Sequence, residues 1–525
     1  MDVVIVGGGP NGLMLACELA LGGVRPVVLE RLLEPSTEPR SNGLVGQVVR
    51  MVDRRGLFER LSGQPGPPRP NNAYFMFAAM PLNLGLLPDS PIYALPVPEV
   101  ETVRILEERA NELGVDIRRG HEFAGLTQTA DAVTVTVNGP DGPYELRTSY
   151  LVGADSAHSP VRKAAGIGFP GVTYDRSTTR SAHVTVLTDW IDPTSGALNV
   201  PGHGPVLPFL PVRTAHGGFS YAPLPGRPAL VATTEWDEPT TDHTAPMTLD
   251  ELRASVTRVL GTDIPLGPPP GPGPHVLRRL NGGNTRVAER YRDGRVFLVG
   301  DAAHVFAAGG TGLNLGMQDA INLGWKLAAA VRRPATDPLD PTENPTENST
   351  KNPTDLLDTY ESERRPVADR TITYSQAQAA LLSPGDDVTG LRHLFGDLLT
   401  QPGVVQVLAD LVAGSDVRYP VPADAHPLAG HPAPDLDLHT ANGTVRLAEL
   451  VRDARPLLIN LTEDDNLHAD DIETIHAKAD TDLTALLLRP DSYVAWASTD
   501  PHPDQDALRA TAEHWFPHTR QPRSR

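Results

Sequence analysis

The chain has 525 residues, enough for two to four domains, and its 40% hydrophobic content can fill sizeable cores. A net charge of −20 argues against nucleic acid and against an anionic membrane surface, since both need a basic face. The single cysteine, Cys17, has no internal partner and is expected as a small core residue.

Val3 to Val6 is an apolar, β-branched run that predicts a buried strand. It enters Gly7-Gly8-Gly9-Pro10-Asn11-Gly12, a G-x-G-x-x-G turn. An apolar helix over 13–21 follows, then a second strand that ends at Glu30. In a dinucleotide-binding unit, Gly7 permits the tight turn and Gly9 lets a pyrophosphate approach the backbone. Gly12 lets helix and strand pack closely. The helix N-terminus adds unpaired N–H groups and the positive end of its dipole. Glu30, with Arg31 beside it, is placed for an adenosine ribose. A plain glycine turn is the competing reading, which the complete strand–helix–strand–acid unit disfavours.

Residues 31–47 form a polar loop. Its Arg40 either faces the cofactor or is a flexible surface arginine. One helix is predicted over 48–61, strands over 74–95 and an amphipathic helix over 100–113. Strands follow over 115–118 and 132–137, with a hairpin turn at 138–142. With a strand starting at Val3 there is no room for a signal peptide, and the uncharged stretch 193–212 is broken by prolines. The chain reads as soluble and cytoplasmic.

Residues 151–156 are another strand meeting a small acidic turn, Gly153-Ala154-Asp155-Ser156. From about 171 to 277 long helical patterns are scarce, prolines are many and strand-like runs dominate. A separate, mostly antiparallel sheet is expected there. Phe209, Phe219, Tyr221 and Trp236 line either its core or a ligand, core being preferred for each. Residues 295–301 predict a buried strand ending in Asp301. His304 and a Gly-rich turn, Gly309-Gly310-Thr311-Gly312-Leu313-Asn314, come next, and a helix runs on to about Val331. An acid there can hold sugar or ribityl hydroxyls, and a Gly-rich helix start can face an electron-rich ring edge. His304 is a candidate base, with hydrogen-bonded structure the preferred role.

Three segments together resemble the fingerprints of the class A flavoprotein monooxygenases, the para-hydroxybenzoate hydroxylase-like aromatic hydroxylases. They are Gly7 to Gly12 with Glu30, Gly153-Ala154-Asp155, and Gly300-Asp301 through Gln318-Asp319 to Leu327. Within that family the full length is most similar to aromatic polyketide hydroxylases and rifampicin monooxygenases. The resemblance implies FAD as cofactor and NADPH or NADH as transient reductant. One oxygen atom of O2 would pass from a C4a-hydroperoxyflavin to an aromatic or polycyclic polyketide-type substrate. A Baeyer–Villiger or epoxidising outcome, or a non-hydroxylating FAD-binding pathway partner, are the alternatives. It also implies that Gly7, Gly9, Pro10, Asn11, Gly12, Glu30, Arg31, Arg40, Glu99, Phe123, Asp155, Asp301, Gly310, Gly312, Leu313 and Asn314 bind the cofactor. Arg40 would take the phosphates or flavin edge, the Phe123 backbone the adenine, Asp301 the ribityl chain and Gly312-Leu313-Asn314 the pyrimidine.

The implied fold class is α/β. A Rossmann-like FAD-binding domain (1–73, 96–170, 278–395) carries an inserted antiparallel substrate domain (74–95, 171–277). A helical linker (396–432) leads to a thioredoxin-like domain (433–525) that lacks C-x-x-C, with a homodimer as a possible assembly. Pro-Thr-Glu-Asn repeats at 341–348 mark 338–354 as a low-complexity loop, after which Thr354 or Asp355 should cap a long helix. His468 and His476 are read on one helix, without company for a metal. Three departures stand out. Ser156 replaces the usual glycine of the Asp-Gly turn and narrows its backbone options. Ala308 replaces a proline and should loosen the loop before Gly309. Glu99 replaces a glutamine and brings a charge toward the FAD phosphates unless it is protonated or turned away.

Overall fold

The computed structural model describes residues 1–38, 40–224, 226–237, 245–310, 312–332, 356–464 and 466–516. The predicted low-complexity loop 338–354, and with it Thr354 and Asp355, lies outside the described residues.

A six-stranded sheet anchors the N-terminal part. Its order is Arg292–Asp293, Val296–Leu298, Tyr150–Gly153, Val3–Val6, Val27–Glu30, Asp116–Arg119. All pairings are parallel except that of the outermost strand Arg292–Asp293. The Val3–Val6 run is fully buried, as expected of a strand inside a parallel sheet. Helix Pro10–Leu21 packs between helices Gly312–Arg332 and Glu99–Glu112. Cys17 is buried among them, and burial raises its thiol to about 12. A three-stranded antiparallel layer, Glu122–Gln128, Val133–Gly139 and Gly142–Thr148, flanks the sheet.

A second sheet is antiparallel throughout. Its main path runs Val212–Arg213, Gly218–Ala222, Ala229–Trp236, Gly171–Val186, Leu277–Val287, His304–Val305. One face packs on helix Leu249–Leu260 through Ala182, Val184, Phe219, Tyr221 and Val231. Phe219 and Tyr221 are therefore core, whereas Phe209 is exposed.

The C-terminal part holds a four-stranded mixed sheet, in the order Glu473–His476, Leu457–Asn460, Ala485–Leu488, Val494–Ser498. Its core is not closed on itself, since Trp325 from helix Gly312–Arg332 packs with Leu458, Leu487 and Trp515.

Three expectations need correction, and one element went unplaced. The helix over 48–61 is two helices, Gln47–Asp53 and Phe58–Ser62, because Gly56 at φ +68° closes the first. Helix Leu249–Leu260, capped by Thr248 and ended by Gly261 at φ +68°, is an element that the reading of 171–277 did not place, though it leaves helices scarce there. Asp301 sits on a tight turn, Gly300–Ala302, rather than on the strand, since Gly300 at φ +61° breaks the strand first. His476 ends a strand paired in parallel with Leu457–Asn460, so it shares no helix with His468. No group of metal-holding side chains forms among the described residues. Nor is any helix among them long and apolar enough to cross a membrane.

Candidate functional site

Three of the four glycines of the first turn divide their work by space. A Cβ on Gly7 would lie 2.3 Å from Ala154 O, and one on Gly12 would lie 2.0 Å from Gly7 O. Both are needed for backbones to touch. A Cβ on Gly9 would meet nothing within 4 Å. Gly9 is the N-cap of helix Pro10–Leu21 and offers no side-chain cap, so the first-turn N–H groups face that open space. This is the geometry an anion such as a pyrophosphate occupies.

Glu30 turns back onto the turn and accepts hydrogen bonds from Gly8 N and Leu32 N, both at 2.8 Å. Arg31 beside it is exposed. The Glu30 carbonyl accepts from His121 N, which brings the buried Phe123 close to the same strand end. Asn11 reaches the other way. Added Cβ atoms on Gly300 and Gly316 would lie 2.0 and 2.4 Å from its Nδ2, while its Oδ1 is buried without a partner. Asn11 thus joins the first turn to the Asp301 turn and the helix that starts at Gly312.

At that second end, Asp301 keeps an exposed face, and Gly312 approaches its Oδ1. Burial raises the Asp301 carboxyl above its usual range, against the pull of His304 and Arg40. Glu99, the first residue of helix Glu99–Glu112, is also raised by burial, with Arg40 opposing and Asp301 adding to the rise. Arg40, Glu99 and Asp301 therefore converge. Arg40 also pairs with Glu38 at the surface. A Cβ on Gly310, at φ +61°, would meet open space, and Asn314 Oδ1 accepts from Val45 N at 3.0 Å beside the half-buried Leu313.

Asp155 is held within its own turn, where its oxygens accept from Ser159 Oγ (2.6 Å) and Val161 N (2.9 Å). Burial raises its pKa while those two donors lower it. Ser156 next to it stands at φ +72°, in the left-handed region. His304 is fully buried and bonds Asp319 Oδ2 at 2.7 Å, and Asp319 Oδ1 accepts from Arg364 Nε at 2.7 Å. Burial alone would raise Asp319, but Arg364 and His304 hold it below the usual range. His304 is thus part of a buried hydrogen-bonded chain, His304–Asp319–Arg364.

Sequence reasoning missed the far wall. Ser375 Oγ brackets Ala308, donating to its carbonyl (3.0 Å) and accepting from its N–H (3.3 Å). Gln378 Oε1 accepts from Ala78 N. These are polar residues on the buried side of helix Asp358–Leu382, with Thr371 at the same spacing. A polar stripe at i, i+4, i+7 was the available signal.

A family model described as "FAD binding domain" matches residues 1–343, and "Aromatic-ring hydroxylase, C-terminal" matches 426–518. The chain belongs to this flavoprotein monooxygenase family. It is an FAD-dependent oxidoreductase that draws electrons from NAD(P)H. It is 39% identical to the 12-dehydrotetracycline 5-monooxygenase/anhydrotetracycline 6-monooxygenase of Streptomyces rimosus, covering 98% of each chain. Against the rifampicin monooxygenase of Streptomyces venezuelae identity is 36%, again over 98% of each. The solved anhydrotetracycline hydroxylase from Streptomyces rimosus superposes with a TM-score of 0.80 at 38% identity, covering 98% of this chain and 99% of that one.

Proposed function

We propose that this monooxygenase inserts one oxygen atom of O2 into a flat, polycyclic, polyketide-type aromatic substrate. FAD would lie from the open space at Gly9 to that at Gly310. The observation that carries the placement is the pairing of these two openings with two helix starts and two acids, Glu30 and Asp301, between them. The residues present fit the cofactor. Gly9 admits the pyrophosphate, and the buried, unpartnered Asn11 Oδ1 awaits a hydroxyl donor. Once bound, FAD supplies reduction by NAD(P)H and activation of O2. The chain holds and orients it. Arg40 offsets the anionic phosphates, and burial, by favouring the neutral form of the Glu99 carboxyl, lessens its repulsion of them. Ser375 and Thr285 fix the loop at Ala307 and Ala308 so that water is excluded.

We assign the substrate to the sheet face opposite helix Leu249–Leu260. Ser181, Ser220 and Ala232 form one row there in register, all small enough to lie under a planar ring system. Arg213 on the same face donates to Ser383 O and Thr389 Oγ1, so helices cover the site from above. The segments 1–73, 96–170 and 278–395 then form the FAD-binding domain, and 74–95 with 171–277 the substrate domain. We read 433–525 as a thioredoxin-like unit that has lost redox chemistry, because it holds no cysteine. Packing onto Trp325 is its role, and sedimentation tests whether it also builds a homodimer.

Purified protein should be yellow and release flavin on denaturation. With 18O2 and NADPH, a polycyclic phenol should gain one labelled oxygen. Colourless protein that cannot take up FAD would sink the placement. Flavin-bound protein giving unlabelled product would instead support the non-hydroxylating reading.

A further inference from the structure

The open sheet face carries donors that meet no acceptor. On the strand Leu277–Val287, neighbouring arginines alternate between faces. Arg279 points to the helix side and pairs with Glu251, as does Arg180 across the ladder. Arg278, in register with Ser181, falls on the opposite, open face. Its Nε is buried without a hydrogen-bond partner, and among the described residues its guanidinium enters no ion pair. The chain has 65 acidic residues against 45 basic ones, so this is not for want of carboxylates.

His183 lies two residues from Ser181 on that same face. Its Nδ1 accepts from Val276 N at 3.1 Å, which puts the proton of the neutral ring on Nε2. Nε2 is buried and also meets no acceptor, although the whole residue is only 3% exposed. Burial, then His275 and Arg227, push its pKa below the usual imidazole range, which favours the neutral ring. A buried donor left unmet is costly and calls for a partner from outside the chain.

We propose that Arg278 and His183 form a donor-only subsite for an anionic oxygen of the substrate. The substrate class is then acidic polycyclic phenols or enolised 1,3-dicarbonyls that bind with one oxygen ionised. The inference rests on the substrate placement above. A neutral carbonyl would satisfy a hydroxyl row such as Ser181 and Ser220, whereas a permanently charged guanidinium gains most from a charged acceptor.

The test uses the full-length, FAD-loaded protein and two probes: alizarin, an acidic dihydroxyanthraquinone, and unsubstituted anthraquinone. The medium is buffered below the first ionisation of free alizarin. Bound alizarin should show the red-shifted band of its monoanion. Arg278→Met should remove that band and weaken alizarin about tenfold or more, leaving anthraquinone binding unchanged. Arg278→Lys should restore part of the band, and His183→Leu should diminish it. A bound dye with its neutral spectrum, an unchanged band in Arg278→Met or His183→Leu, an equal loss for anthraquinone, or no alizarin binding at all would each overturn the proposal. Flavin content and NAD(P)H oxidation, measured on the same samples, report separately on the cofactor placement.

Discussion

Arg489 grips both carboxylate oxygens of Glu363, with Nη1 at 2.6 Å from Oε1 and Nη2 at 2.8 Å from Oε2. Both side chains are 2% exposed. The pair joins the C-terminal sheet to helix Asp358–Leu382, and Lys326 Nζ adds a third charge 2.7 Å from Glu363 Oε2. The Arg489 guanidinium also lies 4.4 Å from the Trp515 ring centre and 5.2 Å from that of Trp325. Arg55 reinforces the seam by donating to Val451 O and Pro490 O. Glu363→Gln leaves the buried Lys326 facing a neutral amide, while Arg489 keeps only Asp491. Breaking a buried ion pair from one side costs about 3–5 kcal/mol. Chemical denaturation should show that loss, with the C-terminal Trp496 and Trp515 fluorescence changing first. A loss under about 1 kcal/mol would show that the seam tolerates a neutral partner.

The same carboxylate predicts an acid limit. Burial alone would raise Glu363, but Arg489 and Lys326 lower it from 4.5 to about 2. A depressed acid binds fewer protons folded than unfolded, so its contribution is complete above the unfolded pKa and is lost as pH falls. Stability should therefore drop between pH 4.5 and about 2 through this group. Glu363→Gln should flatten that part of the denaturation midpoint against pH. An unchanged slope would assign the acid sensitivity to other carboxylates.

Gly9 and Gly12 separate binding from folding. Gly9 has φ −78°, which any residue adopts, and open space where a side chain would go. Gly9→Val should keep apo stability within about 0.5 kcal/mol while abolishing flavin uptake. Gly12→Ala drives a methyl to 2.0 Å from a backbone oxygen and should reduce soluble yield as well. Flavin-replete Gly9→Val protein would contradict the pyrophosphate placement.

The parts legible in the sequence were those with a local signature. The strand–turn–helix at Val3–Leu21 has both an apolar period and a glycine pattern, and Asp301 with Gly312 repeats the logic. What escaped was decided at long range. Ser375 belongs to the site only because helix Asp358–Leu382 passes Ala308, 67 residues away in sequence. His183 and Arg278 share a face only through the pairing of two strands about 90 residues apart, a register that no local period encodes. Ala308 shows the same limit. Without the family's proline its loop reads as loose, yet two hydrogen bonds with one serine, one donated and one accepted, bracket it.

Ser156 holds φ +72°, a region that disfavours side chains by about 1–2 kcal/mol. Ser156→Gly relieves this, less about 0.4–1 kcal/mol of added unfolded-state entropy. The thermal midpoint should rise slightly or stay level. Flavin reduction by NADPH, followed by stopped-flow bleaching, should quicken as the turn gains backbone freedom beside the expected path of the hydride donor. Slower reduction with raised stability would show that Ser156 does not limit that approach.

On the proposed placement, Ala308 and Ser375 are expected to set the coupling of NADPH oxidation to oxygen insertion. The Ala308 N–H is committed to Ser375 Oγ, so Ala308→Pro removes a donor even as it fixes φ. The two effects oppose, and restoring the family's proline should give little gain. Ser375→Ala removes both hydrogen bonds to Ala308 and leaves Thr285 Oγ1, which accepts from Ala307 N at 3.0 Å, as the neighbouring tether. A loop freed in this way admits water to the reacting face. Hydrogen peroxide released per NADPH oxidised should rise several-fold in Ser375→Ala, with flavin content unchanged because the hydrogen bonds of Ser375 go to the Ala308 backbone. Peroxide yield equal to the unmodified enzyme would show that Thr285 alone holds the loop. Lost flavin would instead place Ser375 in the cofactor cradle itself.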